Sequence, residues 1–409
     1  MRTSTPADGN GSSPSEATLR AVIETLAPLR RAAGSADERA AAEWIAARLR
    51  DAGCTAVVEA EPFLDGYARH MRALAAASAA AGLAALARHR WRALAGLVAT
   101  AAGMAIADDV SNGPRLFRRA AGPPQTTWNV RATCGAPEAP RTLVVLAHHD
   151  AAPTGRIFDP AVQTWIGERF PEIVERIDTS LPLWWALLAA PGLVAAGALR
   201  GRRGLLAAGV AASALGVAVF HDVATSPIVP GANDNLSAVA VLVALAERLR
   251  ERPVAGLRVM LVSCGAEEVI QGGIYGFARR HFPALAPERT WFLNLETVGS
   301  PRLIMLEGEG PVVMEDYHDP GFRDFIERTA RAEGIAVRRG MRARTSTDAV
   351  VPHRAGYPTA TLASMDRHKL LSNYHLMSDT PENIEYATVS AALTLTEAVA
   401  RRLASDPHL

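Results

Sequence analysis

Lysine is almost missing from this chain of 409 residues: Lys369 stands alone, and arginine carries nearly all the positive charge. Neither sign of charge is in excess, with 43 basic residues against 42 acidic ones and a formal net charge of +1. That balance argues against a nucleic-acid partner, which normally meets a basic stripe. Cysteine is scarce. Cys54, Cys134 and Cys264 lie far apart, show no CxxC spacing, and read as three small buried thiols rather than a zinc knuckle or a disulfide framework. Residues 1–15 are polar and rich in Ser, Gly and Pro, without the apolar core of a cleavable export signal, and read as a disordered tail. No GxSxG element points to a serine hydrolase. Charged residues make up only 21% of the chain and apolar ones 49%, so part of it should be buried more deeply than a water-exposed fold allows.

Two stretches account for the apolar excess. Residues 73–87 and 93–107 are charge-free Ala/Leu/Gly runs separated by Arg88-His89-Arg90-Trp91-Arg92. Residues 181–199 and 204–220 repeat the arrangement around Arg200-Gly201-Arg202-Arg203. Each pair reads as a helical hairpin with a basic turn, and together they form a membrane-embedded insertion of four candidate helices. A span needs roughly 17–25 apolar residues, so the second pair is long enough and the first is short. Small residues four apart, Gly192/Ala196 and Gly209/Ser213, would let such helices pack closely in lipid.

The remainder, residues 16–409 less the hairpins at 73–107 and 181–220, alternates strand and helix as one domain. Candidate strands are 142–147, 257–263, 290–295 and 358–363, with helices following at 236–250, 273–281, 322–333 and 387–403. The expected fold class is α/β, with a mostly parallel or mixed central sheet covered by helices on both faces. Ligands of such sheets bind beyond the carboxyl ends of the strands.

Acids and imidazoles stand at those ends. Leu143–Ala147 runs into His148-His149-Asp150, Arg258–Ser263 runs through Cys264-Gly265-Ala266 into Glu267-Glu268, and Trp291–Leu295 runs into Glu296. Tyr374-His375 follows the last strand shortly, and Asp234 sits in Gly231-Ala232-Asn233-Asp234-Asn235 before an apolar helix. Imidazole nitrogen with carboxylate oxygen and no thiolate suits Zn²⁺ or a similar divalent ion. In the His148-x-Asp150 spacing the carboxylate can accept the second imidazole N–H and fix the tautomer. Strand alternation favours His148 over His149 as the ligand. His221, His318, His353 and His368 have no comparable neighbours and read as ordinary histidines.

These blocks, in this order, resemble the M28 family of zinc peptidases, mainly aminopeptidases. The resemblance runs through 34–44, Trp128-Asn129-Val130 to Gly155, Gly231–Ser237 with Gly265–Glu268, and Tyr374-His375 with Ser378-Asp379-Thr380. It implies a zinc-exopeptidase fold and two zinc ions, one held by His148, Asp234 and Glu296, the other by Asp234, Glu268 and His375. Asp234 would bridge, Glu267 would be the general base, and Asp150 the partner of His148. The sequence departs from the family in placing Glu296 where Asp is usual, in the turn Val269-Ile270-Gln271-Gly272-Gly273, and in Ala349 after Asp348 where His is expected.

The expected function is a membrane-anchored di-zinc peptidase acting on peptide ends, with peptide and lipid bilayer as partners. A glutaminyl cyclase of the same family, keeping one zinc, is the second enzyme reading, and a non-catalytic membrane scaffold is the third. The positive-inside rule places both arginine turns in the cytoplasm and the catalytic domain outside.

Overall fold

The computed structural model describes residues 14–406. Most of the expected tail therefore lies outside the described residues, and Pro14 and Ser15 already open a helix. Nine strands form one sheet in the order β1-β2-β4-β3-β5-β9-β6-β7, with β8 paired to β6. They are β1 (Thr55–Phe63), β2 (Gln125–Gly135), β3 (Thr142–His148), β4 (Arg258–Cys264), β5 (Thr290–Glu296), β6 (Arg302–Glu309), β7 (Glu315–Asp316), β8 (Arg338–Ala343) and β9 (Thr359–Met365). The central four, β4, β3, β5 and β9, are parallel. β2 and β6 join them antiparallel, so the sheet is mixed.

β3 shows why the centre is parallel and covered twice. All seven of its residues are buried. Leu143, Val145 and Ala147 join the core on one face, and Val144 and Leu146 the core on the other. A continuous apolar run whose side chains alternate between two dry faces is what a doubly covered strand requires.

The helices of the first face are α1 (Pro14–Leu26), α2 (Ala36–Asp51), and, later in the chain, α10 (Ser237–Glu251), α12 (Pro320–Ala332) and α14 (Tyr386–Ser405). The second face is covered by α11 (Gly272–His281) and α13 (Val350–Arg354). Between α2 and α10 lie the inserted elements. They are α3 (Tyr67–Ala87), α4 (Arg92–Val110), α5 (Leu116–Ala121), α6 (Ala161–Arg169), α7 (Pro171–Arg176), α8 (Leu183–Leu199) and α9 (Arg203–Thr225).

α3, α4, α8 and α9 close into one four-helix body, in which α3 and α8 each pack against both α4 and α9. The helix lengths depart from the expectation in the first pair, which is long enough, and in α8, which is short, while α9 at 23 residues is as expected. α3 has 21 residues because Tyr67–Arg72 extend the charge-free run, whereas α8 has 17, about 25 Å at the helical rise. Three helices, Tyr67–Ala87, His89–Val110 and Arg203–Thr225, are long and apolar enough to cross a membrane. The small-residue seam is half as expected. A side chain at Gly209 would meet the backbone N of Val194 at 2.5 Å, and Ser213 bonds Ser78 at 3.1 Å. Gly192, by contrast, has nothing within 4 Å of its Cβ position and takes no part.

The cysteine reading needs correction. Cys54 and Cys134 form a disulfide, leaving only Cys264 free among the described residues. The β1–β2 ladder pairs Thr55 with Thr133, which sets the two cysteines opposite each other at the strand ends. The first helical hairpin lies between these strands and stretches the sequence separation to 80, which concealed the pairing.

Candidate metal centre

The parallel strands deliver their acids and imidazoles to one rim. β3 ends on His148 and β5 on Glu296, β4 leads into the turn bearing Glu267 and Glu268, and the loop after β9 brings in His375. Asp234 enters from the segment ahead of α10, where the Asp234–Asn235 peptide is cis. Gly231 opens that segment at φ +60°, and a side chain there would lie 2.5 Å from the Asp234 carbonyl and 2.8 Å from Arg31, so glycine is required.

His148 Nε2 lies 3.2 Å from Asp234 Oδ1 and 3.4 Å from Glu296 Oε1. On the other side of Asp234, its Oδ2 is 3.3 Å from His375 Nε2, which is 3.1 Å from Glu268 Oε2. His148, Asp234 and Glu296 thus form one donor triad and Asp234, Glu268 and His375 a second, the donor atoms of each within 4.8 Å of one another. Glu267 stands beside the first, its Oε2 3.9 Å from His148 Nε2. All seven side chains singled out from the sequence are therefore together. The longer arm of Glu296 reaches the triad where a shorter Asp is usual. His149 turns the other way, towards the Ser263 hydroxyl at 2.9 Å. Among the other histidines, His221 meets Arg72, His318 and His353 meet each other, and His368 meets Arg367, none of them in a triad.

Asp150 does more than flank His148. Its Oδ1 is 3.4 Å from His148 Nδ1, while its two oxygens accept the backbone N–H groups of Glu267 and Glu268, both at 3.0 Å. Four further residues that were not singled out hold the rim in place. Arg31, fully buried, donates to the carbonyls of His149 at 2.8 Å and Pro230 at 2.8 Å, tying two site loops together. Glu38, also fully buried, accepts the Thr127 hydroxyl at 2.5 Å and the Ala266 N–H at 3.0 Å. Asp379 accepts the N–H groups of Asn233 at 2.7 Å and Asp234 at 3.1 Å. Gln271 donates to Glu267 Oε1 at 2.8 Å. Glu38 carried a sequence signal, since Ser35 caps α2 through the Glu38 N–H in an S-x-x-E pattern. Arg31 carried none.

The altered turn after Glu268 has its own partners. Arg115 donates to the Ile270 carbonyl at 2.6 Å, and Arg118 to those of Val269 and Leu64, both at 2.9 Å. Arg118 is also paired with Asp109 in a buried ion pair at the end of α4. The helical insert thus grips the loop that carries the two glutamates.

Electrostatics fit a divalent cation. Burial pushes the Glu267 carboxyl well above its ordinary range and Glu268 up to about 7. Burial acts against charge on His375 too, but Glu268 and Asp234 outweigh it and raise the imidazole to about 10. A buried cluster with more carboxylates than cations raises carboxyl and imidazole values together. Nδ1 of both histidines and Glu268 Oε1 are buried without a hydrogen-bond partner. The imidazole and carboxylate donors, without thiolate, suit zinc.

Comparison with known proteins agrees. Residues 216–400 match the family model for peptidase family M28. This segment is an M28 peptidase domain. The enzyme class that follows is the zinc metallopeptidases. No curated protein sequence matches the chain. Among solved structures, the chain is similar to the zinc aminopeptidase BSAP from Bacillus subtilis, with a TM-score of 0.54 and 15% identity over 95% of this chain and 94% of that one. It is similar to the glutaminyl cyclase of Bacteroides thetaiotaomicron, with a TM-score of 0.57 and 12% identity over 94% and 97%. LapB from Legionella pneumophila gives a TM-score of 0.53 and 12% identity over 98% and 77%. At these identities the likeness is one of fold, an α/β zinc-exopeptidase sheet covered by helices.

Proposed function

We propose that the M28 domain is a di-zinc aminopeptidase anchored in a membrane by its four-helix insert. The observation that carries this reading is the pair of donor triads sharing Asp234, with Glu267 alongside and free of both. His148, Asp234 and Glu296 would hold one zinc, and Asp234, Glu268 and His375 the other. When bound, the ions supply an acidified water and a Lewis acid for the peptide carbonyl.

The chain's own residues do the rest. The Glu267 carboxylate is the proton acceptor during attack and returns that proton to the leaving amine. Gln271 holds one Glu267 oxygen, which leaves Oε2 directed at the triads. Asp150 fixes the backbone of both glutamates, so base and ligand move as one unit. The preference for the amino end comes from the likeness to aminopeptidases.

The cyclase reading needs one zinc and leaves the second triad without a role. A scaffold needs neither triad, yet every donor position is filled by a competent oxygen or nitrogen. The test is metal content with turnover. Two zincs per chain and hydrolysis of aminoacyl-nitroanilides are expected, with Glu267→Gln keeping the metal and losing about 10²–10⁴-fold in rate. A single tight zinc with no hydrolysis would sink the proposal.

The anchoring rests on the apolar outer face of the bundle. Leu97, Met104 and Leu215 are 67%, 68% and 66% exposed there, which in water would be an aggregation surface. Both arginine turns lie at the end of the bundle remote from the sheet, where a side chain at Gly201 would come within 3.0 Å of the Arg92 guanidinium. The positive-inside rule then favours an exterior catalytic domain. The Cys54–Cys134 disulfide suits that oxidising side. Protease protection in sealed vesicles tests it.

A further inference from the structure

A cavity of about 340 Å³ runs from the metal centre into the helical insert. At one end it is lined by Glu267, Glu268 and His375. Near the centre Gln271, Thr345, Ser346 and Tyr374 also line it, and the rest of the wall is apolar and comes largely from the insert: Leu187 of α8, and Leu215, Val219 and Phe220 of α9, with Phe158 between them and the site. Phe158 sets its ring 4.4 Å from that of His375, so the apolar wall begins at a proposed ligand.

The far end reaches the outside of the bundle. Leu215 lines the cavity yet is 66% exposed, and Leu183 at the head of α8 is 47% exposed. The segment of α6 and α7, which precedes Leu183 in the chain, exposes Trp165, Phe170 and Ile173. The domain clasps the segment through Lys369, whose Nζ donates to the carbonyls of Glu175 at 2.8 Å and Ile177 at 2.7 Å. Exposed aromatic residues of this kind suit a membrane–water interface. The metal centre is therefore joined, through a largely apolar passage, to the apolar outer face of the helical insert. A water-soluble polar peptide gains nothing from such a route.

We propose that the substrate enters along this passage from the bilayer and is an apolar peptide, with large aliphatic or aromatic side chains at and beside the scissile bond, as in fragments of membrane-spanning segments. The volume lies at the lower end of the roughly 300–1,000 Å³ of small-molecule pockets, enough for one or two such side chains. This rests on the peptidase reading given above, and the experiment keeps the two apart.

The binding arm needs no turnover. Zinc-loaded Glu267→Gln protein in lipid nanodiscs is photolabelled with a tripeptide carrying photoleucine at its amino end. Cross-links within 183–187 and 212–223, competed by trileucine and not by triglycine, are the expected result. Labelling confined to other regions, or none, overturns the proposal. The kinetic arm compares wild type with Leu215→Ser and Val219→Ser, each checked for full zinc content. Wild type should favour trileucine over trialanine at least tenfold in kcat/KM, and the variants should lose most of that ratio. Equal ratios in all three proteins overturn the passage while leaving the peptidase intact. Absence of hydrolysis in wild type strikes the peptidase reading alone, and the labelling still decides the passage.

Discussion

Asp150 accepts the backbone N–H of Glu267 at 3.0 Å while standing 3.4 Å from the His148 imidazole, so one buried carboxylate references the proposed base to a proposed ligand. Asp150→Asn keeps the size but turns an amide N–H towards a backbone N–H. The expected result is a 10–100-fold loss in kcat/KM or zinc affinity, with the fold retained by circular dichroism. Unchanged kinetics would show that the turn is held by Glu38 and Gln271 alone.

Asp234 belongs to both triads and His375 to one. Asp234→Ala should therefore release both zincs, and His375→Ala chiefly one, when equilibrium dialysis is followed by metal analysis. Equal losses in the two variants would contradict a shared carboxylate.

The Cys54–Cys134 bond closes a loop of 80 residues that contains the first helical hairpin. Replacing both cysteines with serine should cost about 2–5 kcal/mol of stability, seen as a lower midpoint in denaturant titrations of the detergent-solubilised protein. No change with or without reductant would mean that the bond does not form in the mature chain.

Glu309 on β6 is fully buried, accepting the Thr347 N–H at 2.7 Å and the Tyr317 hydroxyl at 3.2 Å. Burial pushes its carboxyl from the ordinary 4.5 up to about 8. Between those values the folded chain keeps a proton that the unfolded chain has released. Its stabilising contribution is thus full below the lower value and lost as pH rises through the upper one. Glu309→Gln cannot ionise, so the variant should gain on wild type as pH rises from 5 to 9. Urea midpoints at each pH measure this, and a variant that falls behind at high pH refutes it.

The catalytic face was legible because each donor stands at the end of an apolar strand or ahead of an apolar helix, where the pattern itself marks the rim. The M28 motifs supplied the pairing of donors. Much of what supports them was not legible. Arg31 makes its contacts across about 120 and 200 residues of sequence, to His149 and Pro230, and no local pattern announces such bonds. β6 and β8 were missed, because the exposed Arg302 and the half-buried Arg338 and Arg339 interrupt the apolar alternation expected of strands. The hairpins were recognised by composition, but their ends were not. Polar residues such as Arg69 and His70 continue the helix of α3 beyond the apolar run. Segment 161–176 drew no assignment from its sequence pattern and is two short helices.

Each insert leaves and rejoins the sheet layer at a closed neck. Phe63 faces Gln125 across the β1–β2 ladder, and Pro153 bridges to Ile228. Both excursions could in principle be excised and the cut ends rejoined by tight turns without moving a strand, giving a water-soluble catalytic body. What such surgery would sacrifice is the grip of Arg115 and Arg118 on the turn behind the two glutamates. A detached enzyme would thus need a new brace at that point, and the natural chain has made its helical insert serve as one.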